Sequence, residues 1–203
     1  MAVSKTFPAE KIREAHQAGQ RLFGENRVQE FAGKAPVARE LEAEFHLIGH
    51  LQSNKSSKAA ELFDAVDSLD SLRLAERLNE ACGRLGKVLP VLVEINVGGE
   101  EAKSGIRPNS DELEQILTAA PRLEHLAIRG LMTVPPYTDD PSGARPYFHM
   151  LRQLRDEIAC RRLPRVCMDE LSIGMSHDFE VAVEEGSTCV RIGTAIFGER
   201  QKQ

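Results

Sequence analysis

The sequence predicts an α/β protein folded as a single closed (β/α)8 barrel of the TIM type over residues 1–203. Three observations carry that expectation. Short β-rich runs alternate strictly with amphipathic helical stretches, the order expected when helices cover a parallel sheet. One run, Val88 to Asn96, is almost continuously apolar, as a strand buried on both faces must be. Two turns of small residues, Gly174-Met175-Ser176 and Gly193-Thr194, each follow a strand near the end of the chain. In such barrels the loops after strands seven and eight are a frequent phosphate site. No Gly-x-Gly-x-x-Gly fingerprint follows the first strand, so an open dinucleotide-binding sheet has less support.

The elements follow in order. Strand one is Met1 to Lys5, which sets Lys5 at its C-terminal end, and Pro8 opens a helix through Ala18, with Ile12, Ala15 and Ala18 on one face. Arg21-Leu22-Phe23 is strand two. The turn Gly24-Glu25-Asn26-Arg27 then enters a helical segment carrying Val28, Phe31 and, beyond Pro36, Val37, Ala38 and Leu41. Strand three, Phe45 to Ile48, ends at Gly49, and His50 to Lys55 is a loop before a short helix through Leu62. Ala65 to Leu69 is strand four, followed by a helix from Ser71 to Leu85 whose Leu72, Ala75, Leu78 and Ala81/Cys82 share a face. After strand five, Gly98 to Gly105 is a glycine-bearing loop, in which Glu100, Glu101 and Lys103 read as solvated, and Asp111 to Ala119 is a helix. Leu126 to Met132 is strand six. Its loop, Thr133 to Ser142, is long and proline-rich and is expected to be the most mobile segment. A helix from Tyr147 to Cys160 leads to strand seven, Met168 to Ile173, after which Ser176 is expected to cap a helix whose amides face an anion. Strand eight is Cys189 to Ile192. The two ends fit a barrel imperfectly, because strand one starts almost at Met1 and only five residues follow Gly198.

A net charge of -5 gives no basic field, which argues against nucleic acid or an anionic membrane surface and for a small ligand. The apolar runs are far shorter than a membrane span, and the first residues lack the order of a secretion signal, so the expected location is cytoplasmic. Cys82, Cys160, Cys167 and Cys189 show no Cys-x-x-Cys spacing and read as reduced structural thiols. No large apolar stripe is left over, which favours a monomer.

The residues at the strands' C-terminal ends are Lys5, Asn26, His50, Asn96, Met132, Ser176, Arg191 and Thr194. A lysine among apolar neighbours can lose its proton and form a Schiff base with an aldehyde. Taken alone, Lys5 reads as a solvated lysine near a terminus, but phosphate donors across the barrel mouth change that reading. An aldehyde with a phosphate and a planar ring is pyridoxal 5′-phosphate. Arg191, a charge inside a strand, needs a buried partner or a ligand. His46 alternates with apolar residues and reads as a satisfied barrel histidine, while His50 reads equally well as loop or ligand contact. The side chains of Met132 and Met175 read as packing.

The strings AVSKT, FGENRVQE, FHLIGHLQSNK, EINVGGEEAKSGI, GLM and LSIGMSHDFEVAVEEGSTCVRIGTAIFG, running from Ala2 to about Arg200, resemble the pyridoxal-phosphate homeostasis family, whose domain is alanine-racemase N-terminal-like. The resemblance implies a fold-type-III barrel that binds pyridoxal 5′-phosphate. It makes Lys5 the Schiff-base lysine, Asn26 a ring-side contact and Arg191 the residue facing the pyridine nitrogen. Met175, Ser176, Gly193 and Thr194 fall in the phosphate-holding motifs. Family members carry an N-terminal helix that is missing ahead of strand one here, and His177 stands where many have a small or acidic residue. The implied role is intracellular vitamin B6 homeostasis, with delivery to pyridoxal-phosphate-dependent apoenzymes and no turnover of its own. The alternative is a small racemase-like enzyme acting on amino acids, with Tyr137 as its base.

Overall fold

The computed structural model describes residues 1–100 and 104–199. Among the described residues, eight strands run parallel in the order of the chain: β1 (Ala2–Val3), β2 (Leu22–Glu25), β3 (Glu44–Leu47), β4 (Ala65–Leu69), β5 (Leu89–Glu94), β6 (Leu126–Met132), β7 (Val166–Met175) and β8 (Cys189–Arg191). The circle closes between the chain's two ends. Ala2 bridges Ile192, the Val3 N–H donates to the Ile192 carbonyl at 2.8 Å, and the Ile192 N–H donates to the Met1 carbonyl at 3.0 Å. The N-terminal ammonium adds a bond to the Val190 carbonyl at 2.9 Å. The imperfect fit expected at the ends is therefore corrected: backbone groups alone complete the ladder, so a strand of two residues is long enough to close it.

The helices are α1 (Ala9–Gln17), α2 (Val28–Ala38), α3 (Ser56–Leu62), α4 (Leu72–Leu85), α5 (Asp111–Ala119), α6 (Arg145–Cys160), α7 (Phe179–Glu184) and α8 (Thr194–Phe197). They cover the barrel with apolar side chains. Phe23 and Phe45 on adjacent strands stack at 5.2 Å between ring centres, and Phe31 of α2 packs on Phe45 at 4.9 Å and on Phe63 at 4.6 Å. Helix α4 shows how local sequence and packing agree. The Ser71 hydroxyl accepts from the Leu74 N–H, Gly86 ends the helix at a left-handed φ of 65°, and Leu74, Ala75, Leu78, Ala81 and Cys82 are buried. The buried pattern begins at Leu74, so Leu72 only packs against its edge.

Four expectations change in detail. Strand β2 continues through Gly24 because that glycine pairs with His46 in the sheet, and a side chain there would strike the Met1 Sδ at 2.6 Å. Strand β7 is longer at both ends than Met168 to Ile173, since its backbone pairs with β6 from Val166 and with β8 as far as Met175. The residues after β8 form a one-turn helix. Ser176 is not a helix cap: α7 starts three residues later, and Asp178 builds the intervening turn by accepting from the Met175 N–H at 2.6 Å. All four cysteines are unpaired thiols.

Gly130 marks the tightest approach in the sheet. A Cβ at that position would lie 1.8 Å from the Glu170 carbonyl oxygen, where the β6–β7 register shifts. Gly130→Ala is expected to destabilise the barrel by roughly 1–3 kcal/mol, the usual cost of overpacking. Urea unfolding should show this as a lower midpoint with an unchanged slope.

Candidate functional site

The C-terminal mouth of the barrel holds a cavity of about 360 Å³ lined by Val3, Lys5, Phe7, Asn26, Ile48, Val134, Met175, Ser176, His177, Arg191, Gly193 and Thr194. All seven residues singled out in the sequence as a ligand site line this one space. They come from both ends of the chain and from the turn after β2, and barrel closure joins them. His50 and Asn96 line an adjoining chamber that shares Asn26, Ile48 and Val134 with the first. Met132 is fully buried in the core and reaches neither.

Lys5 sits in a turn two residues beyond β1 and is half-buried. The turn is closed by the Phe7 N–H donating to the Ser4 carbonyl at 3.2 Å, and Thr6 takes a left-handed φ of 65°, which a β-branched residue rarely adopts. A buried ion pair braces the turn from beneath. Glu25 is fully buried, and its Oε1 accepts from the Ser4 hydroxyl and from the Lys34 Nζ, each at 2.8 Å, while Lys34 also donates to the Ser4 carbonyl at 2.9 Å. Burial raises the Glu25 carboxyl above its ordinary range, and the lysine and serine only partly offset it. Sequence reading overlooked this brace. The alternation along β2 could have placed Glu25 inward, but nothing in the chain announces that Lys34, on the next helix, reaches it.

Arg191 is 4% exposed and held by neutral oxygens: it donates to the Ser172 carbonyl, the Ser172 hydroxyl and the Thr133 carbonyl, each at 2.7 Å. Burial lowers its pKa, with Cys189, Asp67, Glu94 and Asp178 opposing at longer range. A guanidinium still keeps its proton under such conditions. Thr133 is fixed in turn, its hydroxyl donating to the Ile95 carbonyl at 2.5 Å, so the loop expected to be mobile is tied down where it leaves the barrel. Asn96 donates to the Glu100 carbonyl at 2.9 Å. Glu101 and Lys103, read as solvated, lie outside the described residues.

The two small-residue turns meet as the sequence suggested. The Gly193 N–H donates to the Ser176 hydroxyl at 3.3 Å, which brings the β7 and β8 turns edge to edge. Asn26 is seated by Gly49, where a side chain would approach the Asn26 carbonyl to 2.3 Å. His46 pairs with Asp67 at 3.1 Å and lines a different cavity, with Glu44, Asp64 and Glu170; burial lowers its pKa, but Asp67, with Glu44 and Glu170, more than offsets this and leaves it raised. His50 contacts Asp70 at 2.8 Å. His177 contacts the Thr138 carbonyl at 3.1 Å and stacks with Tyr137 at 5.4 Å between ring centres.

The model of a family described as alanine racemase, N-terminal domain, matches residues 1–201. The chain belongs to that family. Within it, the pyridoxal phosphate homeostasis protein of Aquifex aeolicus (strain VF5) is 45% identical over 201 residues, covering 99% of this chain and 86% of the relative. The protein of the same name from Escherichia coli (strain K12) is 45% identical over 203 residues, covering 98% and 85%. Among solved structures, PipY of Synechococcus elongatus PCC7942 with PLP bound superposes with a TM-score of 0.87 at 40% identity, covering 98% of this chain and 91% of that one. Alanine racemase of Clostridium difficile 630 shares the fold alone, with a TM-score of 0.77 at 17% identity; this chain spans 52% of its length. The alanine racemase N-terminal domain fold thus covers the whole described barrel.

Removing Lys34 tests the brace under the alanine racemase N-terminal domain's Lys5 turn. Lys34→Met leaves a buried carboxylate without its cation and is expected to cost about 3–5 kcal/mol near neutral pH. Because the folded-state pKa of Glu25 is raised, its burial is tolerated best when it is protonated. Without Lys34 that pKa rises further, so the gap between variant and wild type should shrink as pH falls through the variant's higher value toward the wild-type one and level off below it, and Glu25→Gln added to Lys34→Met should recover part of it. Urea unfolding across a pH series reads both effects.

Proposed function

We propose that this chain is a pyridoxal 5′-phosphate carrier acting in vitamin B6 homeostasis, which holds the cofactor on Lys5 and hands it on without turnover. The observation that carries the reading is the single cavity in which an amine, two hydroxyl-bearing turns and a buried guanidinium converge. Its volume of about 360 Å³ lies within the usual range for a small-molecule site. The relatives named for pyridoxal phosphate homeostasis and the PLP-bound PipY structure support the same assignment.

The residues fit the group. Lys5 would offer the amine for the aldehyde carbon, the Ser176 and Thr194 hydroxyls with the Gly193 backbone would hold the phosphate, and Ile48, Val134 and Met175 would give the ring apolar walls; all line the one cavity. Asn26 would contact the ring from the side. Arg191 is assigned to the pyridine nitrogen, where a permanent cation keeps that nitrogen unprotonated. When bound, the group supplies an electron sink, which an unprotonated nitrogen weakens. Racemisation also needs acid and base groups on opposite faces of the substrate carbon. Tyr137, the expected base of the alternative enzyme, is 77% exposed and stacked on His177 outside the cavity lining. The carrier is read as a cytoplasmic monomer that delivers the cofactor to apoenzymes. No described helix is long and apolar enough to cross a membrane.

Purified protein incubated with pyridoxal phosphate should turn yellow, and borohydride reduction followed by peptide mapping should place the label on Lys5. Lys5→Ala should lose both signals while retaining weaker, reversible phosphate binding. Label on another amine would overturn the assignment. Incubation of the loaded protein with L- and D-alanine should leave both enantiomers unchanged, and robust racemisation would favour the enzyme instead.

A further inference from the structure

The loop after β6 gives Val134 to the Lys5 cavity and is fixed at both ends. At its start, the Thr133 carbonyl accepts from Arg191 at 2.7 Å and the Thr133 hydroxyl donates to the Ile95 carbonyl. At its far end, the Thr138 hydroxyl donates to the Asp140 carbonyl at 2.8 Å, and that carbonyl also accepts from the Gly143 N–H at 2.9 Å. An added Cβ at Gly143 would lie 2.9 Å from the Thr138 Cβ, so the turn closes tightly on that threonine. Between the two anchors Pro136 rests against Gly98, where a Cβ would approach the proline Cγ to 2.5 Å.

On the other side of the cavity stands the turn after β7. It is rigid: Asp178 Oδ1 accepts from the Met175 N–H at 2.6 Å, and the Asp178 N–H donates to the Met175 carbonyl at 3.1 Å. His177 projects from that turn and lines the cavity beside Ser176. Its Nε2 lies 3.1 Å from the Thr138 carbonyl, and because a carbonyl only accepts, Nε2 carries the hydrogen. The Tyr137 ring stacks on the same imidazole, with centres 5.4 Å apart and planes inclined by 28°. A fixed turn and an anchored loop thus meet through His177. Tyr137 and His177 are both exposed, so neither contact serves the core.

We propose that His177, through Tyr137 and the Thr138 carbonyl, straps the β6 loop to the β7 turn at the rim of the Lys5 cavity and slows passage of a ligand in and out. His177 acts as a positioning residue, holding the loop rather than the ligand. A strap that must open for entry and for exit changes both rates by one factor and leaves affinity alone. The ligand's identity rests on the proposed function. The strap does not.

Two measurements on the full chain test it. Hydrogen exchange of the unloaded protein, read by mass spectrometry at the amides of residues 137–140, should be faster in His177→Ala and in Tyr137→Ala than in wild type. Loading with pyridoxal phosphate, and its displacement by excess 4′-deoxypyridoxine 5′-phosphate, are followed by the yellow colour. His177→Ala, which loses both contacts, should speed both processes about fivefold, and Tyr137→Ala, which loses only the stack, about twofold, the low end for such contacts because they are exposed. Affinity should stay within about twofold of wild type. Loop exchange or ligand rates unchanged in both variants overturn the strap, and so does a weaker affinity with an unchanged loading rate, which would make His177 a ligand contact. A wild type that takes up no pyridoxal phosphate overturns the proposed function and this use of the strap with it; uptake with unchanged variant rates overturns the strap alone.

Discussion

The site depends on the ladder between β1 and β8, where backbone groups of Met1, Ala2 and Val3 meet those of Val190 and Ile192. Those few bonds turn an open sheet into a barrel. They also set a lysine from the start of the chain opposite two hydroxyl-bearing turns from its end. An open arrangement would leave an amine on one edge and a hydroxyl-bearing turn on the other, with no shared cavity between them.

Closure alone leaves these side chains loosely placed, and a buried ion pair and a buried guanidinium tighten them. Glu25 and Lys34 grip the residue before Lys5, fixing the turn from which the amine projects. Arg191 draws β8 toward β7 and the start of the β6 loop through three bonds to neutral oxygens. Neutral acceptors satisfy the guanidinium's hydrogens without cancelling its charge. That leaves a positive field in the cavity, suited to an electron-rich ring nitrogen. Glu94 differs: its Oε1 accepts from Ser104, and its Oε2 has no hydrogen-bond partner among the described residues.

Much of the fold was legible because strand alternation and helix amphipathicity are local patterns. Cys82 and Leu78 share a helix face because of a 3.6-residue repeat, and no distant contact is needed to see it. Gly24 misled because a glycine after a β-rich run reads as a turn. Its actual reason is the Met1 side chain packed over it, a contact between residues far apart in the chain. Ser176 misled for a related reason. Its place after Gly174 suits a helix cap, yet Asp178 forms a stronger local bond to the Met175 amide and delays the helix, leaving the serine hydroxyl to meet Gly193.

By itself, then, the sequence determined the order of elements and the parallel barrel, which follow from short-range periodicity, while seven of the twelve residues that line the Lys5 cavity came from motifs at strand ends together with the family resemblance. Tertiary structure decided how β1 closes on β8, that Lys34 reaches Glu25, and that one oxygen of Glu94 has no partner among the described residues. Hydrogen bonding between residues remote in sequence, and the desolvation of charge, depend on distances that only the folded chain establishes.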